Sequence, residues 1–242
     1  MTSGSPLLLV EDLARHYERG AVRALDGVSF RARSGEVLAV TGPSGCGKTT
    51  LLSLVGLLDR PTRGRVVIDG EDLSSVRRRH AFRARSLGFV FQFHHMVPGM
   101  TLLENAAAPM IALGASRARR RARAGEILER MGLSHRADAL PNRVSGGERQ
   151  RAAVARALVN RPRVILADEP TGNLDSQNGQ VVVDLLLEHA RSDGALLILA
   201  THNPVIAALG DLQIELLDGR EVPQEAPPLP PGASSAPPGT VG

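Results

Sequence analysis

Apolar residues near the start of the chain fall in short runs broken by polar positions. Leu7-Leu8-Leu9-Val10 is followed by Val22, Ala24, Val28 and Phe30, the alternation of half-buried strands. Glu36 to Thr41 (EVLAVT) is apolar without interruption and runs straight into a glycine-rich turn, after which Thr49 to Leu58 predicts a helix. Arg65 to Ile68 predicts another strand, closed by the turn pair Asp69-Gly70. Leu87 to Phe91 predicts a strand that leads into a helical middle. There Thr101-Leu102-Leu103-Glu104 has capping-box spacing, and Ser116 to Met131 predicts a helix ending at Gly132. Strands return at Val164 to Ala167 and Leu196 to Ala200, continuous rather than alternating, as in a parallel sheet covered on both faces. Leu212 to Leu217 with Asp218-Gly219 predicts a closing strand and turn. The expectation is an α/β fold with a parallel-sheet core, a β-rich amino-terminal portion and a helical insert over about residues 93–150.

The pattern stops at Val222. Residues 223–242 are rich in Pro, Ala, Gly and Ser, which cannot bury enough apolar surface to offset ordering entropy. They are read as a disordered tail on a domain spanning residues 1–222. A hydrophobic content of 43% with 22% charged residues places the chain among soluble globular proteins, and no apolar run approaches the ~18 residues of a membrane span. The start of the chain has no basic stretch before a small-residue cleavage site, so a cytoplasmic location is expected. One cysteine, Cys46, excludes an internal disulfide framework and a multi-cysteine zinc site.

Charge changes the picture little. The net charge is +4, and 28 of the 29 basic residues are arginine, Lys48 being the one lysine. Tyr17 is the single tyrosine and there is no tryptophan, a poor supply of stacking surface for nucleic acid. The arginines at 117, 119, 120, 121 and 123 and at 77–79 read as solvated helix faces, or as attraction to anionic lipid. No nucleic-acid partner is expected.

Gly42-Pro43-Ser44-Gly45-Cys46-Gly47-Lys48-Thr49 fits the phosphate-loop pattern G-x-x-x-x-G-K-[ST], between a predicted strand and a predicted helix. Glycines let successive N–H groups turn inward around phosphate oxygens, and the following helix adds its positive end. Lys48 can reach the β- and γ-phosphates, and the Thr49 hydroxyl can bind Mg²⁺, with Thr50 beside it. About 0.001 accidental matches are expected in a chain of this composition, so the loop implies a nucleoside triphosphate. Cys46 sits in that loop beside Lys48, where its thiol is either activated or buried and inert. Activation implies that alkylation blocks hydrolysis and that ATP protects.

Asp168 and Glu169 end the Val164–Ala167 strand, and carboxyl ends of parallel strands deliver ligand-facing residues. Asp168 can hold Mg²⁺ and Glu169 can polarise a water for attack on the γ-phosphorus. His202 follows the Leu196–Ala200 strand, within reach of a γ-phosphate. Gln92 follows the Leu87–Phe91 strand, within reach of the metal or the attacking water.

Val144-Ser145-Gly146-Gly147-Glu148-Arg149-Gln150 resembles the LSGGQ signature of ATP-binding-cassette (ABC) proteins, although Ser145-x-x-Glu148 is also an ordinary capping box. The order of phosphate loop, Gln92, signature, Asp168-Glu169, Asp175 and His202 supports the family over roughly residues 7–222. The resemblance implies a P-loop NTPase cassette that hydrolyses ATP in a dimer, with a second ATP-binding subunit and an integral membrane permease as partners. It implies a cytoplasmic protein held peripherally on the inner face of the membrane. Tyr17 looks like the aromatic that stacks on adenine, and Gln92 like the glutamine that links nucleotide state to the permease. Ser145, Gly146 and Gly147 would contact a γ-phosphate held by the other copy. Asp175 resembles a loop crossing the dimer interface, and His202 the switch histidine. Val144 and Glu148 depart from the usual leucine and glutamine.

Gly88–Gln92, Leu58-Asp59-Arg60-Pro61-Thr62 and Leu166–Asp175 resemble the group with lipoprotein-releasing, macrolide-efflux, peptide-resistance and cell-division ATPases, many driving a separate export-type permease. The competing readings are a soluble member of the superfamily acting on a non-membrane partner and an unrelated phosphate-loop kinase. The long heptad insertion of DNA-repair members does not fit in 242 residues, and a kinase would lack the signature.

Overall fold

Continuous apolar strands are needed here because each one feeds two cores. In the strand Val164–Asp168, Val164 and Leu166 join one buried cluster while Ile165 and Ala167 join the other. Leu196, Ile198 and Ala200 likewise face one core, and Leu197 and Leu199 the opposite one. Successive side chains of a strand point to opposite faces, so both faces can be dry only if every position is apolar.

The computed structural model describes residues 5–223. The proposed disordered tail falls almost wholly outside them. In chain order the elements are β1 (Leu8–Tyr17), β2 (Val22–Ala32), β3 (Val37–Thr41), α1 (Lys48–Val55), β4 (Arg63–Ile68) and β5 (Glu71–Asp72). There follow α2 (Arg79–Ser86), β6 (Leu87–Phe91), α3 (Leu102–Ala107), α4 (Arg117–Arg130), α5 (Gly146–Leu158) and β7 (Val164–Asp168). The chain continues through α6 (Ser176–Ser192), β8 (Leu196–Ala200), α7 (Pro204–Ala207), β9 (Leu212–Leu217) and β10 (Arg220–Glu221).

One sheet runs β10-β9-β3-β8-β7-β6, parallel apart from β10, and a second, antiparallel sheet runs β2-β1-β4-β5. Between them lies a core containing Leu51, Leu52, Leu54 and Val55 of α1. The opposite face of the parallel sheet is covered from α3 to α6, with Leu102, Ile127, Leu128, Val154, Leu158, Val182 and Leu186 buried.

The capping boxes at Thr101 and Ser145 both form, each serine or threonine accepting from the N3 backbone and each glutamate reaching back. α1 is shorter than its expected span to Leu58. Gly56 packs against Phe89, which a Cβ would approach to 2.5 Å. Leu57 then takes φ +55°, turning the chain out of the helix. The sequence reading did not anticipate α6, whose Val181-Val182-Val183 run and Gly179 disguise a helix that Asp175 caps by accepting from the Asn178 N–H at 2.9 Å.

Candidate active site

Register brings the chemistry to one edge. Phe91 pairs with Asp168, Asp168 with Ala200, and Ala200 with Val40. The residues following these four strands, Gln92, Glu169, His202 and the glycine-rich loop, therefore emerge together at the carboxyl end of the parallel sheet. They enclose a cleft of about 580 Å³ lined by Ser44, Gly45, Gly47, Lys48, Thr49, Thr50, Gln92, Asp168, Glu169 and His202.

The loop glycines answer to different demands. Gly42 has φ +132°, and a Cβ there would lie 2.2 Å from the Leu216 carbonyl oxygen. Gly47 has φ +112°, with the Ala24 carbonyl oxygen at 2.5 Å from the same imagined atom. These two let the loop press against β9 and β2. Gly45, at φ +81°, faces open space; it serves the turn and the approach of a ligand.

Lys48 is only 8% exposed. Its Nζ donates to the Gly42 and Pro43 carbonyls at 2.7 and 3.0 Å, so a desolvated ammonium is held inside the loop by groups that phosphate oxygens can replace. Cys46 lies in the core, 3% exposed, its Sγ 3.9 Å from Lys48 Nζ. Of the two readings of this thiol the structure favours the buried one, because reagents cannot reach it. Pro43 has no N–H to offer, and Gly42, Pro43 and Cys46 are not among the residues that line the cleft.

Across the cleft, Thr49 Oγ1 donates to Asp168 Oδ2 at 2.8 Å. Burial is the foremost influence on the Asp168 carboxyl and pushes it up. The Thr49 hydroxyl and Lys48 pull it down, while neighbouring Glu169 adds to the rise. Glu169 sits at φ +46°, a left-handed conformation rare for a side-chain-bearing residue. Its N–H donates to the Ala200 carbonyl at 3.0 Å, and its Oε1 lies 2.8 Å from His202 Nδ1. The strained backbone and the imidazole together aim this carboxylate into the cleft. Gln92 packs over Gly172, where a Cβ would come 2.9 Å from its Nε2.

The remaining candidates lie away from this lining. Ser145 caps α5 and is exposed; its Oγ accepts from Glu148 N–H at 3.2 Å while Glu148 Oε2 accepts from Ser145 N–H at 2.8 Å. That backbone N–H, ahead of Arg136, holds the Glu148 carboxyl below the usual range. Gly146 opens α5, and Gly147 meets Asn178, whose Oδ1 would be 2.5 Å from an added Cβ. Asn178 in turn donates through Nδ2 to Asp175 Oδ2 at 2.7 Å. Sequence reasoning missed Asn178; its spacing from Asp175 as a helix cap was the available signal. Tyr17 ends β1 and is 37% exposed.

A model of the ABC transporter family matches residues 25–172, more than half of the chain. The chain belongs to the ABC transporter family. This cassette is 44% identical over 225 residues to the lipoprotein-releasing system ATP-binding protein LolD of Shewanella oneidensis, covering 91% of this chain and 98% of that one. It is 46% identical over 222 residues to LolD of Bordetella pertussis, covering 90% and 96% respectively. Among solved structures, a dimeric post-hydrolysis state of the ATP-binding cassette MJ0796 bound to ADP and Pi superposes with a TM-score of 0.81 at 36% identity, covering 90% of this chain and 99% of that one. The cassette cbiO1 from Clostridium perfringens, part of the ABC transporter complex cbiONQ, gives 0.80 at 29% identity, covering 90% and 88%. The cassette is an ATP-binding ATPase domain, as the phosphate loop and signature implied.

Proposed function

We propose that two copies of this cassette close around two ATP molecules, hydrolyse them, and drive a separate export-type membrane permease from its cytoplasmic face. Residues 1–222 form the working unit, with the helical segment at about 93–150 and Gln92 passing the motion on. The observation that carries this reading is a division of labour. Loop, acids and histidine line one cleft, whereas Ser145, exposed at the start of α5, lies outside it with Gly146 and Gly147. A second copy would supply them.

In each site the loop N–H groups and Lys48 hold the phosphates, and Lys48 exchanges its two carbonyl partners for phosphate oxygens. The Ser145 hydroxyl accepts within its capping box, so its proton is free to donate to the γ-phosphate across the seam. The N-terminus of α5 adds its dipole. Glu169 takes the proton from the attacking water, oriented by His202. Tyr17 stacks on the base and Asp175 lines the seam. Thr49 and Asp168 present an all-oxygen pair that fits Mg²⁺, with Gln92 as a third donor. Bound there, Mg²⁺ would neutralise charge on the β- and γ-phosphate oxygens.

The names carried by the LolD relatives support lipoprotein release as the driven process. A soluble partner has no comparable support.

Glu169→Gln is the test. Phosphate release is expected to fall about 10²–10⁴-fold, and light scattering is expected to find an ATP-held pair. A variant that binds ATP yet stays monomeric would overturn the shared site. Purification from detergent-solubilised membranes should recover the cassette with an integral membrane protein; recovery without one refutes the permease.

A further inference from the structure

The segment Leu58-Asp59-Arg60-Pro61-Thr62 has no part in the cleft, yet it grips the end of β1. Asp59 Oδ2 accepts from the Tyr17 hydroxyl and from Arg15 Nε, both at 2.8 Å. The Arg15 guanidinium carbon stands 4.4 Å from the centre of the Tyr17 ring, over its face. Thr62 reinforces the clasp: its N–H donates to the Ala14 carbonyl at 2.8 Å, and its Oγ1 accepts from His16 N–H at 3.0 Å. Asp59 is itself tied to α1, its N–H donating to the Ser53 carbonyl at 3.2 Å. The carboxylate that fixes the tyrosine is thus tied back to the helix whose first turn carries Lys48 and Thr49.

We infer that Asp59 and Arg15 are positioning residues for the base of the bound nucleotide, holding Tyr17 as a ring with one covered face and one open face. This deepens the proposed function and rests on Tyr17 being the base platform. A phenol free to rotate about its side-chain torsions would have to be ordered at each binding event, a cost that a ring already held avoids. Arg15 occupies one face by cation–π contact, leaving the other for a purine. Burial works against the Asp59 charge, but the Arg60 N–H, the Tyr17 hydroxyl and Arg15 outweigh it and keep the carboxyl below its ordinary range. The clasp is therefore charged and intact at neutral pH.

The composition supplies a direct probe. Tyr17 is the single tyrosine in a chain without tryptophan, so intrinsic tyrosine fluorescence reports this ring alone. A phenol donating to a carboxylate is quenched; Asp59→Ala and Asp59→Asn are both expected to brighten it. Steady-state ATPase of the full chain should show KM for ATP raised roughly 3–10-fold in Asp59→Ala, the loss of a charge-assisted hydrogen bond, with kcat unchanged. Asp59→Asn, which keeps an acceptor oxygen, should recover part of the KM. Tyr17→Ala is the control. If it leaves KM unchanged, the base-platform reading itself fails. If Tyr17→Ala raises KM while Asp59→Ala does not, the platform stands and the positioning role is refuted. A lower KM in Asp59→Ala would also refute it, since the clasp would then be parking the ring away from the base. Equal falls in kcat and melting temperature with KM constant would reduce the segment to a structural brace.

Discussion

One methyl group distinguishes the three glycines of the phosphate loop. At Gly42 it would strike the Leu216 carbonyl at 2.2 Å, and a backbone atom cannot move aside as a side-chain tip can. Gly42→Ala is therefore expected to lower stability by about 1–3 kcal/mol and to abolish ATP binding as the loop is pushed out. Gly45→Ala has open space and pays only for its left-handed backbone. It should melt closer to the parent while still weakening ATP binding. Thermal melts with and without ATP separate the two; equal melting losses would contradict the packing account. The pattern G-x-x-x-x-G-K-T announced the loop but not which glycine answers to which neighbour. That depends on β9 and β2, strands distant in sequence.

At the scale of elements, the start of α5 and the start of α6 are locked together. Gly147 leaves room for Asn178, which Asp175 and Arg151 hold at 2.7 and 3.4 Å. An alanine at 147 would drive Asn178 from both partners and tilt the two helix starts apart. Gly147→Ala is expected to retain ATP binding by the monomer, measured with a fluorescent analogue, and to lose ATP-induced pairing in the Glu169→Gln background. Pairing at parental ATP concentrations would argue against the lock. The capping spacings at Thr101 and Ser145 were legible in sequence because a cap and its N3 partner lie within one turn. α6 was not, because β-branched residues blur helical periodicity and its buried face is defined by helices elsewhere in the chain.

For the whole molecule, acid lability is written into buried histidine. His189 on α6 is 2% exposed; Nδ1 lies 3.0 Å from the Leu185 carbonyl oxygen, and Nε2 is buried with no hydrogen-bond partner among the described residues. Burial, foremost, lowers its proton affinity below the ordinary 6.5. The Leu185 carbonyl opposes this, Arg130 adds to it, and Asp193 and Glu188 oppose it. The unfolded chain then binds the proton more readily than the folded one. Stability is full above the unfolded value and is lost as pH falls below about 6.5. His94, lowered chiefly by burial, acts in the same direction. Melting temperatures followed from neutral to mildly acid pH should drop in the parent and drop less in His189→Leu. An unchanged slope would remove His189 from the account.

The sequence by itself determined what local spacing can encode: the phosphate loop, the two capping boxes, the acid pair at a strand end and the uninterrupted apolarity of strands wetted on neither face. These are decided within a few residues, by backbone geometry and by the period of side-chain direction. Only the tertiary structure decided which residues meet. Parallel register set Phe91, Asp168, Ala200 and Val40 level, so that four separate strand ends open into one cleft. The burial of Cys46, the grip of Asp59 on Tyr17 and the burial of His189 are likewise long-range outcomes. They follow from how two sheets and a layer of helices share surface.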